Sequence, residues 1–333
     1  MATLGGCAGF AAVSGSSLAS VATMGTEALP EMKKYNYDDG LATGCIAAGA
    51  SIGILIPPSI PFVIYAQLTE ESVGKLFFAG IIPGILEALL YMLVIYMMCR
   101  FNPALGPKAP RASLKEKIIS LKGTWGILVL FIIVIGGIYF GIFTPSEAAG
   151  IGASGALLLG LVRGRLNWQK ISASISATSV TTSMLFLMII GGDIFSVLLT
   201  TSNIPFEIAD FVSGLQVPPI FALVLILLVY GLLGFFMPIF LIIILTVPIF
   251  LPVVMSLGYS PIWVGVLIVM MGEMGAISPP FGMNAFIIQG VAKTIPLTTI
   301  YRGVMPFVFT DIFRVAIVVI FPGLAMYLPA LLR

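Results

Sequence analysis

The sequence predicts an all-α integral membrane protein, and its composition carries this prediction. Of the 333 residues, 59% are hydrophobic and 9% are charged, whereas a soluble domain carries about a quarter charged residues. The apolar runs are continuous, unlike the short alternating strands of a membrane β-barrel. The chain has no histidine and three scattered cysteines, which argues against zinc, haem and histidine-based catalytic sites. We therefore expect helices in a lipid bilayer, no organic cofactor and no nucleic-acid partner.

Apolar runs long enough to cross about 30 Å of hydrocarbon predict seven spanning segments. Two further apolar regions, 5–30 and 218–257, are interrupted near their centres. Each could form two full spans or a re-entrant hairpin, and either choice adds an even number of crossings. The seven predicted spans lie near 42–66, 76–99, 124–143, 144–162, 171–199, 261–288 and 303–331.

The positive charges orient these spans. Thirteen of the 16 Lys and Arg residues fall on one side of the predicted topology, near 33–34, 100–122, 163–170 and 293–302. Because short cytoplasmic loops are enriched in Lys and Arg, that side is predicted to be cytoplasmic. Segment 101–123, around "SLKEKIISLKG", is then a basic amphipathic connector in the cytoplasm, and loop 200–217, with Glu207 and Asp210, is external.

A single constant shift along the sequence brings glycines and prolines of the two ends of the chain into register. This pattern predicts an internal repeat with two copies. Five predicted crossings separate equivalent points of the two copies, and because five is odd, the second copy is inverted in the membrane relative to the first. The first copy has no counterpart of 171–199, so we expect either a fragment or helices supplied by another polypeptide. The matched landmarks are Pro57-Pro58 with Pro279-Pro280, Gly53 with Gly275, Gly9 with Gly231, and Pro30 with Pro252. The predicted domains are a first repeat at 1–100, the connector at 101–123, connecting and scaffold helices at 124–216, and a second repeat at 217–333. Each repeat is predicted to contain a hairpin, a broken helix and a scaffold helix.

The stretches "GILIPPSIPF" and "GAISPPFGMN" place two proline pairs inside predicted spans. A broken helix leaves unpaired N–H and C=O groups, which cost several kcal/mol each in lipid. Such breaks are tolerated where they line a cavity or hold an ion, and broken helices in inverted repeats are typical of secondary transporters. The alternative is that these prolines only kink ordinary helices.

Two hairpin tips precede these breaks. Ser14, Gly15, Ser16 and Ser17 form the first predicted tip, and the second lies around Met237 and Pro238; both tips precede their proline pairs by the same interval. Hydroxyl and carbonyl oxygens suit a small, hard cation such as Na⁺, and the N-terminal ends of half-helices suit a carboxylate. The pattern favours a sodium-coupled carrier of an organic anion, although "SGSS" could also be a small-residue packing face.

Ionisable residues inside predicted spans cost about 2.5–3.5 kcal/mol each at the bilayer centre. Asp311 and Arg314 are three residues apart on one helical face, which predicts a neutralising pair. Glu147 follows a proline in a first helical turn, where a carboxylate is structural. Glu273, six residues before the second proline pair, could tune a cation site or hold the unwound backbone. Glu87 and Asp193 also lie within predicted spans.

Several stretches resemble the large membrane subunit of TRAP (tripartite ATP-independent periplasmic) transporters: "GSSLASVATMGTEALPEMKKYNYDDGLATG", "GILIPPSIPFVIYAQLTEESVGKLFFAGIIPG", "FTPSEAAGIGA", "TVPIFLPVV" and "EMGAISPPFGMNAF". The resemblance implies an elevator-type secondary transporter of the ion transporter superfamily in the bacterial inner membrane. It implies a small four-helix membrane subunit as partner. It also implies a periplasmic binding protein that delivers an organic acid, such as a C4-dicarboxylate or a sialic acid, and a Na⁺ gradient as the driving force.

Site residues follow from the same resemblance. The implied sodium ligands are Ser14, Gly15, Ser16, Gly53 and Pro57 in the first site and Met237, Gly275, Ser278 and Pro279 in the second. Ser17, Ser59 and Asn284 are assigned to the substrate, Asn284 because it matches the family pattern "PPxGxN". The chain departs from the family at Pro238, where aspartate is common, and at Asp193, where a small residue is expected.

Three other functions compete with this interpretation. A stand-alone Na⁺- or H⁺-coupled dicarboxylate carrier would share the architecture but not the partners. A non-transporting assembly subunit would use the breaks for packing alone. An intramembrane enzyme is disfavoured because the sequence offers no evident nucleophile–base pair. The sequence does not identify the organic acid.

Overall fold

The computed structural model describes residues 1–107, 113–203 and 218–332, together with Glu207, Asp210 and Gly214. Regular structure in these residues is entirely helical, which confirms the all-α prediction. The chain forms two compact units, a larger one of Met1–Lys108 and Phe195–Arg333 and a smaller one of Ala109–Ile194. Residues 108–112 of the predicted connector and most of the predicted external loop 200–217 lie outside the described residues.

The larger unit begins with a helical hairpin and a broken helix. The interruption predicted inside 5–30 is the short turn between the first two helices. The first helix has 13 residues and is therefore roughly 20 Å long, too short to cross the hydrocarbon core, so its length favours a re-entrant hairpin. The third and fourth helices meet at Pro57-Pro58 with a bend of 40°. The five helices are α1 (Ala2–Ser14), α2 (Ser17–Lys34), α3 (Asp39–Leu55), α4 (Ile60–Thr69) and α5 (Val73–Phe101).

Three helices follow: α6 (Leu114–Tyr139), α7 (Pro145–Val162) and α8 (Trp168–Thr201). Helix α6 continues through the boundary predicted at 123/124 between a surface connector and a span, because the stretch contains no proline to end a helix. The division into connector and span stays a prediction. Thr144 and Glu147 form a capping box at the start of α7, which confirms the structural role predicted for Glu147. Along most of their length α7 and α8 expose their apolar side chains, as expected of surfaces that face lipid or another subunit.

The second hairpin and second broken helix complete the larger unit. The predicted span 303–331 is interrupted after Ile320, because Pro322 lacks an N–H and a new helix begins at Gly323. The helices are α9 (Pro219–Gly234), α10 (Ile239–Ser256), α11 (Pro261–Ile277), α12 (Met283–Val291), α13 (Leu297–Ile320) and α14 (Gly323–Leu331).

The helix boundaries follow the shift found in the sequence. The shift that places Pro57 on Pro279 also places both ends of α2 on those of α10 and both ends of α3 on those of α11. The packing is reciprocal as well: α1 packs on α3 as α9 packs on α11, and α2 contacts α12 as α10 contacts α4. Helices α5 and α13 pack against α3 and α11 at the centre of the larger unit. Each hairpin is therefore placed beside one broken helix of its own half and one half-helix of the other.

Candidate functional site

The first hairpin tip is a polar turn between α1 and α2. Gly15 ends α1 in the left-handed conformation (φ 65°), which glycine adopts without strain. Ser16 caps α2, its hydroxyl accepting a hydrogen bond from the Ala19 N–H at 3.4 Å. The Ser14 hydroxyl lies 2.9 Å from that of Ser20 and 3.2 Å from the Ser16 carbonyl oxygen. Oxygen atoms therefore concentrate at this tip.

This tip lies against the first helix break. A Cβ atom placed on Gly15 would be 3.3 Å from the Pro58 carbonyl oxygen and 3.7 Å from the Ile60 nitrogen. One turn before the break, a Cβ on Gly53 would collide with Ala11 and Ala12 of α1. The structure thus brings together the predicted residues Ser14, Gly15 and Ser16 with the segment that contains Gly53 and Pro57.

The second tip meets the second break in the same manner but through different side chains. Phe236, beside Met237, packs against Phe281 with ring centroids 4.7 Å apart. A Cβ on Gly275 would be 2.6 Å from the Gly231 carbonyl oxygen, so only glycine lets α9 and α11 approach this closely. The Ser278 hydroxyl donates to the Met274 carbonyl at 2.6 Å. The peptide bonds Pro57-Pro58 and Pro279-Pro280 are both cis.

Each break exposes both ends of a helix. The last carbonyls of α3 and α11 and the first N–H groups of α4 and α12 have no partner within their helices. The C-terminal ends carry partial negative charge and the N-terminal ends partial positive charge. A cation is therefore favoured at the carbonyl side of a break and an anion at the N–H side.

The three residues assigned to substrate are buried polar side chains. Ser59, at the first break, is 1% exposed, and its hydroxyl has no hydrogen-bond partner among the described residues. Asn284 donates from Nδ2 to the Ala47 carbonyl at 3.3 Å, while its buried Oδ1 is unpartnered within the described part of the chain. Ser17, at the first tip, lies beside the Glu273 carboxyl of α11. Asn284 and Ser17 each join one half of the larger unit to the other.

A buried ionic cluster, which we define as Ser51, Glu87, Tyr91, Asp311 and Arg314, lies next to these residues. Arg314 Nη2 is 3.2 Å from Asp311 Oδ1, which confirms the predicted pair. Arg314 Nη1 also donates to Glu87, a contact that the sequence did not predict.

Two hydroxyl groups complete the ionic cluster. The Tyr91 hydroxyl donates to Asp311 at 2.7 Å, and the Ser51 hydroxyl donates to Glu87 at 2.8 Å. The cluster ties α3 and α5 to α13. One feature of the sequence could have indicated that Glu87 belongs to the cluster. Glu87 follows Pro83 by four residues and Asp311 follows Pro306 by five, so the two carboxylates occupy nearly equivalent places in the two halves.

Known proteins match this chain along almost its whole length. Residues 1–324 match the family model described as the DctM component of the tripartite ATP-independent periplasmic transporter. A C4-dicarboxylate TRAP transporter large permease protein of Pseudomonas aeruginosa is 38% identical over 97% of this chain and 75% of its own length. A sialic acid TRAP transporter large permease protein of Vibrio cholerae is 34% identical over 97% of this chain and 75% of its own. An ectoine TRAP transporter large permease protein of Halomonas elongata is 33% identical over 98% and 76%.

Proposed function

The chain belongs to the DctM family of tripartite ATP-independent periplasmic transporters, and from this premise we propose that it imports an organic acid driven by a sodium gradient. It is a multi-pass protein of the bacterial inner membrane, as its family and its long apolar helices indicate. The proposal makes it a transporter subunit rather than an enzyme, with Na⁺ as the coupling ion. The observation that carries it is the pair of hairpin tips, each lying against a proline break, in two halves with matching helix boundaries.

We infer that the two halves are inverted repeats and that the larger unit contains the moving elements of an elevator mechanism. The odd number of predicted crossings between equivalent helices supports the inversion. The dense packing of both hairpins, both broken helices, α5 and α13 within one unit supports movement as one body. In this arrangement α5 and α13, which the sequence assigned to the scaffold, travel with the broken helices.

Sodium would bind at the carbonyl side of each break. In the first site, Ser14, Gly15 and Ser16 face the segment of Gly53 and Pro57, and hydroxyl and carbonyl oxygens are ligands that Na⁺ prefers. In the second site, which contains Met237, Gly275, Ser278 and Pro279, backbone carbonyls dominate because the tip is apolar. Ion binding at either site would fix a hairpin tip against its break.

The organic acid would bind between the two breaks. Ser59 and Asn284 retain buried polar atoms without partners among the described residues, and an unmade buried hydrogen bond costs about 1–3 kcal/mol. The N-terminal ends of α4 and α12 add partial positive charge for a carboxylate. Relatives are named for C4-dicarboxylates and for sialic acid. Both kinds of compound carry carboxylates, which supports this substrate class.

Two partners complete the proposal, since the family name describes a tripartite system. A small four-helix membrane subunit would cover part of the exposed apolar surface of α7 and α8, and lipid would cover the rest. A periplasmic binding protein would deliver the substrate.

Reconstitution tests this function. Proteoliposomes that contain this chain and its small subunit would be offered candidate organic acids with and without the binding protein. The imposed gradient would be Na⁺, H⁺ or none. We expect uptake that requires both the binding protein and inward Na⁺. Uptake that is driven by H⁺ or that ignores the binding protein would instead identify a stand-alone carrier, and absence of uptake in an assembled complex would indicate an assembly subunit.

A further inference from the structure

Glu273 is a buried carboxylate that lacks a cation of its own. It lies within α11, one turn and a half before the second break, and is 4% exposed. Its Oε2 atom is buried and has no hydrogen-bond partner among the described residues. The Ser17 hydroxyl, at the first hairpin tip, is the side-chain group that lies beside this carboxyl. One carboxylate oxygen therefore remains available to a ligand.

The nearby guanidinium does not neutralise Glu273. The Arg314 guanidinium is close enough for its charge to act on Glu273. Arg314 is already bonded to Glu87 and to Asp311. Three buried carboxyl groups thus share a single guanidinium, and a buried charge without compensation costs several kcal/mol. Either a bound cation or a proton on the carboxyl group would supply the missing positive charge at Glu273.

The donor set selects a small monovalent cation. Among the described residues, no group of three or more acidic, histidine or cysteine side chains is arranged so that it could hold a metal ion, as a multidentate divalent site would require. One carboxylate oxygen and one hydroxyl oxygen are hard ligands, which suit Na⁺. An organic anion would be repelled by the Glu273 carboxylate unless a cation were bound first.

We propose that Glu273 and Ser17 bind a Na⁺ ion in addition to those at the two helix breaks. The proposal rests on the proposed function only in taking Na⁺ as the coupling ion. The sites at the breaks each belong to one half of the larger unit, whereas this site joins the two, because Ser17 begins α2 and Glu273 lies in α11. The bound ion also neutralises a carboxylate beside a residue assigned to the substrate. Substrate affinity should therefore depend on occupancy of this site.

The test uses the assembled transporter and two readouts. Binding of ²²Na⁺ to the purified complex gives the number of ions, and reversal-potential measurements in proteoliposomes give the Na⁺-to-substrate ratio. In Glu273→Gln we expect one Na⁺ fewer in both measurements. Ser17→Ala should keep the ratio while Na⁺ affinity falls roughly 10-fold or more, the range found when groups that support a metal site are removed. Glu31→Gln and Thr26→Ala, at exposed positions of α2, serve as matched controls and should match the wild type.

Several outcomes would overturn the site. Unchanged ion number and affinity in Glu273→Gln would do so, and so would a change in proton coupling with Na⁺ coupling intact, since the carboxyl would then carry a proton. If Glu273→Gln does not assemble, Glu273→Asp retains the charge on a shorter side chain and should lower Na⁺ affinity at an unchanged ratio. Wild-type affinity in both Glu273→Asp and Ser17→Ala would also refute the proposal. Failure of the proposed function is distinguishable, because the wild type itself would then show no Na⁺-driven uptake.

Discussion

The two hairpin–break pairs share a backbone arrangement but differ in the chemistry of their tips. In both, a glycine near the end of the broken helix, Gly53 or Gly275, touches the first helix of the hairpin so closely that a side chain would collide. The first tip is built of serines whose hydroxyls bond to one another and to the backbone. The second tip presents Phe236, which stacks on Phe281.

For the sodium sites that we propose, this difference means that the shared backbone arrangement sets the position of the ion, while the side chains set its ligands. The first tip offers both hydroxyl and carbonyl oxygens, whereas the second tip offers carbonyl oxygens alone. The asymmetry continues deeper in the unit. Ser51 of α3 and Glu273 of α11 occupy equivalent positions of the two halves, yet Ser51 donates to the ionic cluster and Glu273 adds a carboxylate next to it.

The largest expected effect concerns the ionic cluster, where the two halves meet. Arg314→Met leaves the Glu87 and Asp311 carboxylates buried and unpaired, and removing one partner of a buried ion pair costs about 3–5 kcal/mol. We expect the midpoint of thermal unfolding of the purified complex to fall by roughly 10 °C. Arg302→Met, at an exposed position of the same helix, is the matched control and should leave the midpoint in place.

A charge-neutral cluster sharpens this comparison. The triple variant Arg314→Met, Glu87→Gln, Asp311→Asn removes the guanidinium and both carboxylates, so it should recover most of the stability that Arg314→Met loses. If the triple variant were no more stable than Arg314→Met, the cost would come from packing around the long arginine side chain rather than from unpaired charge.

The sequence predicted the parts of the site that depend on local chemistry. Proline and glycine act on their own backbone, so the breaks at Pro57-Pro58 and Pro279-Pro280 and the turn at Gly15 could be read directly. The pair Asp311–Arg314 was also predictable, because residues three apart share a helical face.

The remainder depends on which helix faces meet, and that information is not local. Glu87 and Arg314 are far apart in the sequence, and their contact follows from the rotation of α5 against α13. The position of Ser17 beside Glu273 likewise depends on packing between the two halves. The continuous α6 was missed for a different reason: its charged and apolar stretches suggested two elements, but nothing in its backbone ends the helix.

The next prediction tests whether the two hairpin–break pairs are equally close-packed. Gly53→Ala and Gly275→Ala each place a methyl group against backbone atoms of the hairpin, and overpacking of this kind costs about 1–3 kcal/mol. Both variants should unfold at lower temperature and lose uptake, since each forces a hairpin away from its break. Gly9→Ala is the control, because a Cβ at Gly9 meets nothing within 4 Å.

The smallest effect tests the chemistry of the tips themselves. Ser16→Ala removes a tip hydroxyl, so the apparent Na⁺ affinity measured by uptake should fall about 10-fold, equivalent to about 1.4 kcal/mol. Thr26→Ala removes a hydroxyl from an exposed position of the same helix and should leave the affinity unchanged. Phe236→Leu at the second tip keeps the backbone and an apolar side chain, so it should weaken Na⁺ binding less than Ser16→Ala does.

Ser16 also caps α2, and a second substitution separates the two roles. Alanine at an N-cap costs about 1 kcal/mol of stability, whereas glycine costs only a few tenths. If the hydroxyl binds Na⁺, Ser16→Gly and Ser16→Ala should weaken Na⁺ equally although their thermal stabilities differ. If Na⁺ affinity instead follows thermal stability across the two variants, Ser16 acts through the helix cap. The first tip would then bind its ion through backbone carbonyls, as we propose for the second, and the chemical difference between the two pairs would not extend to their ions.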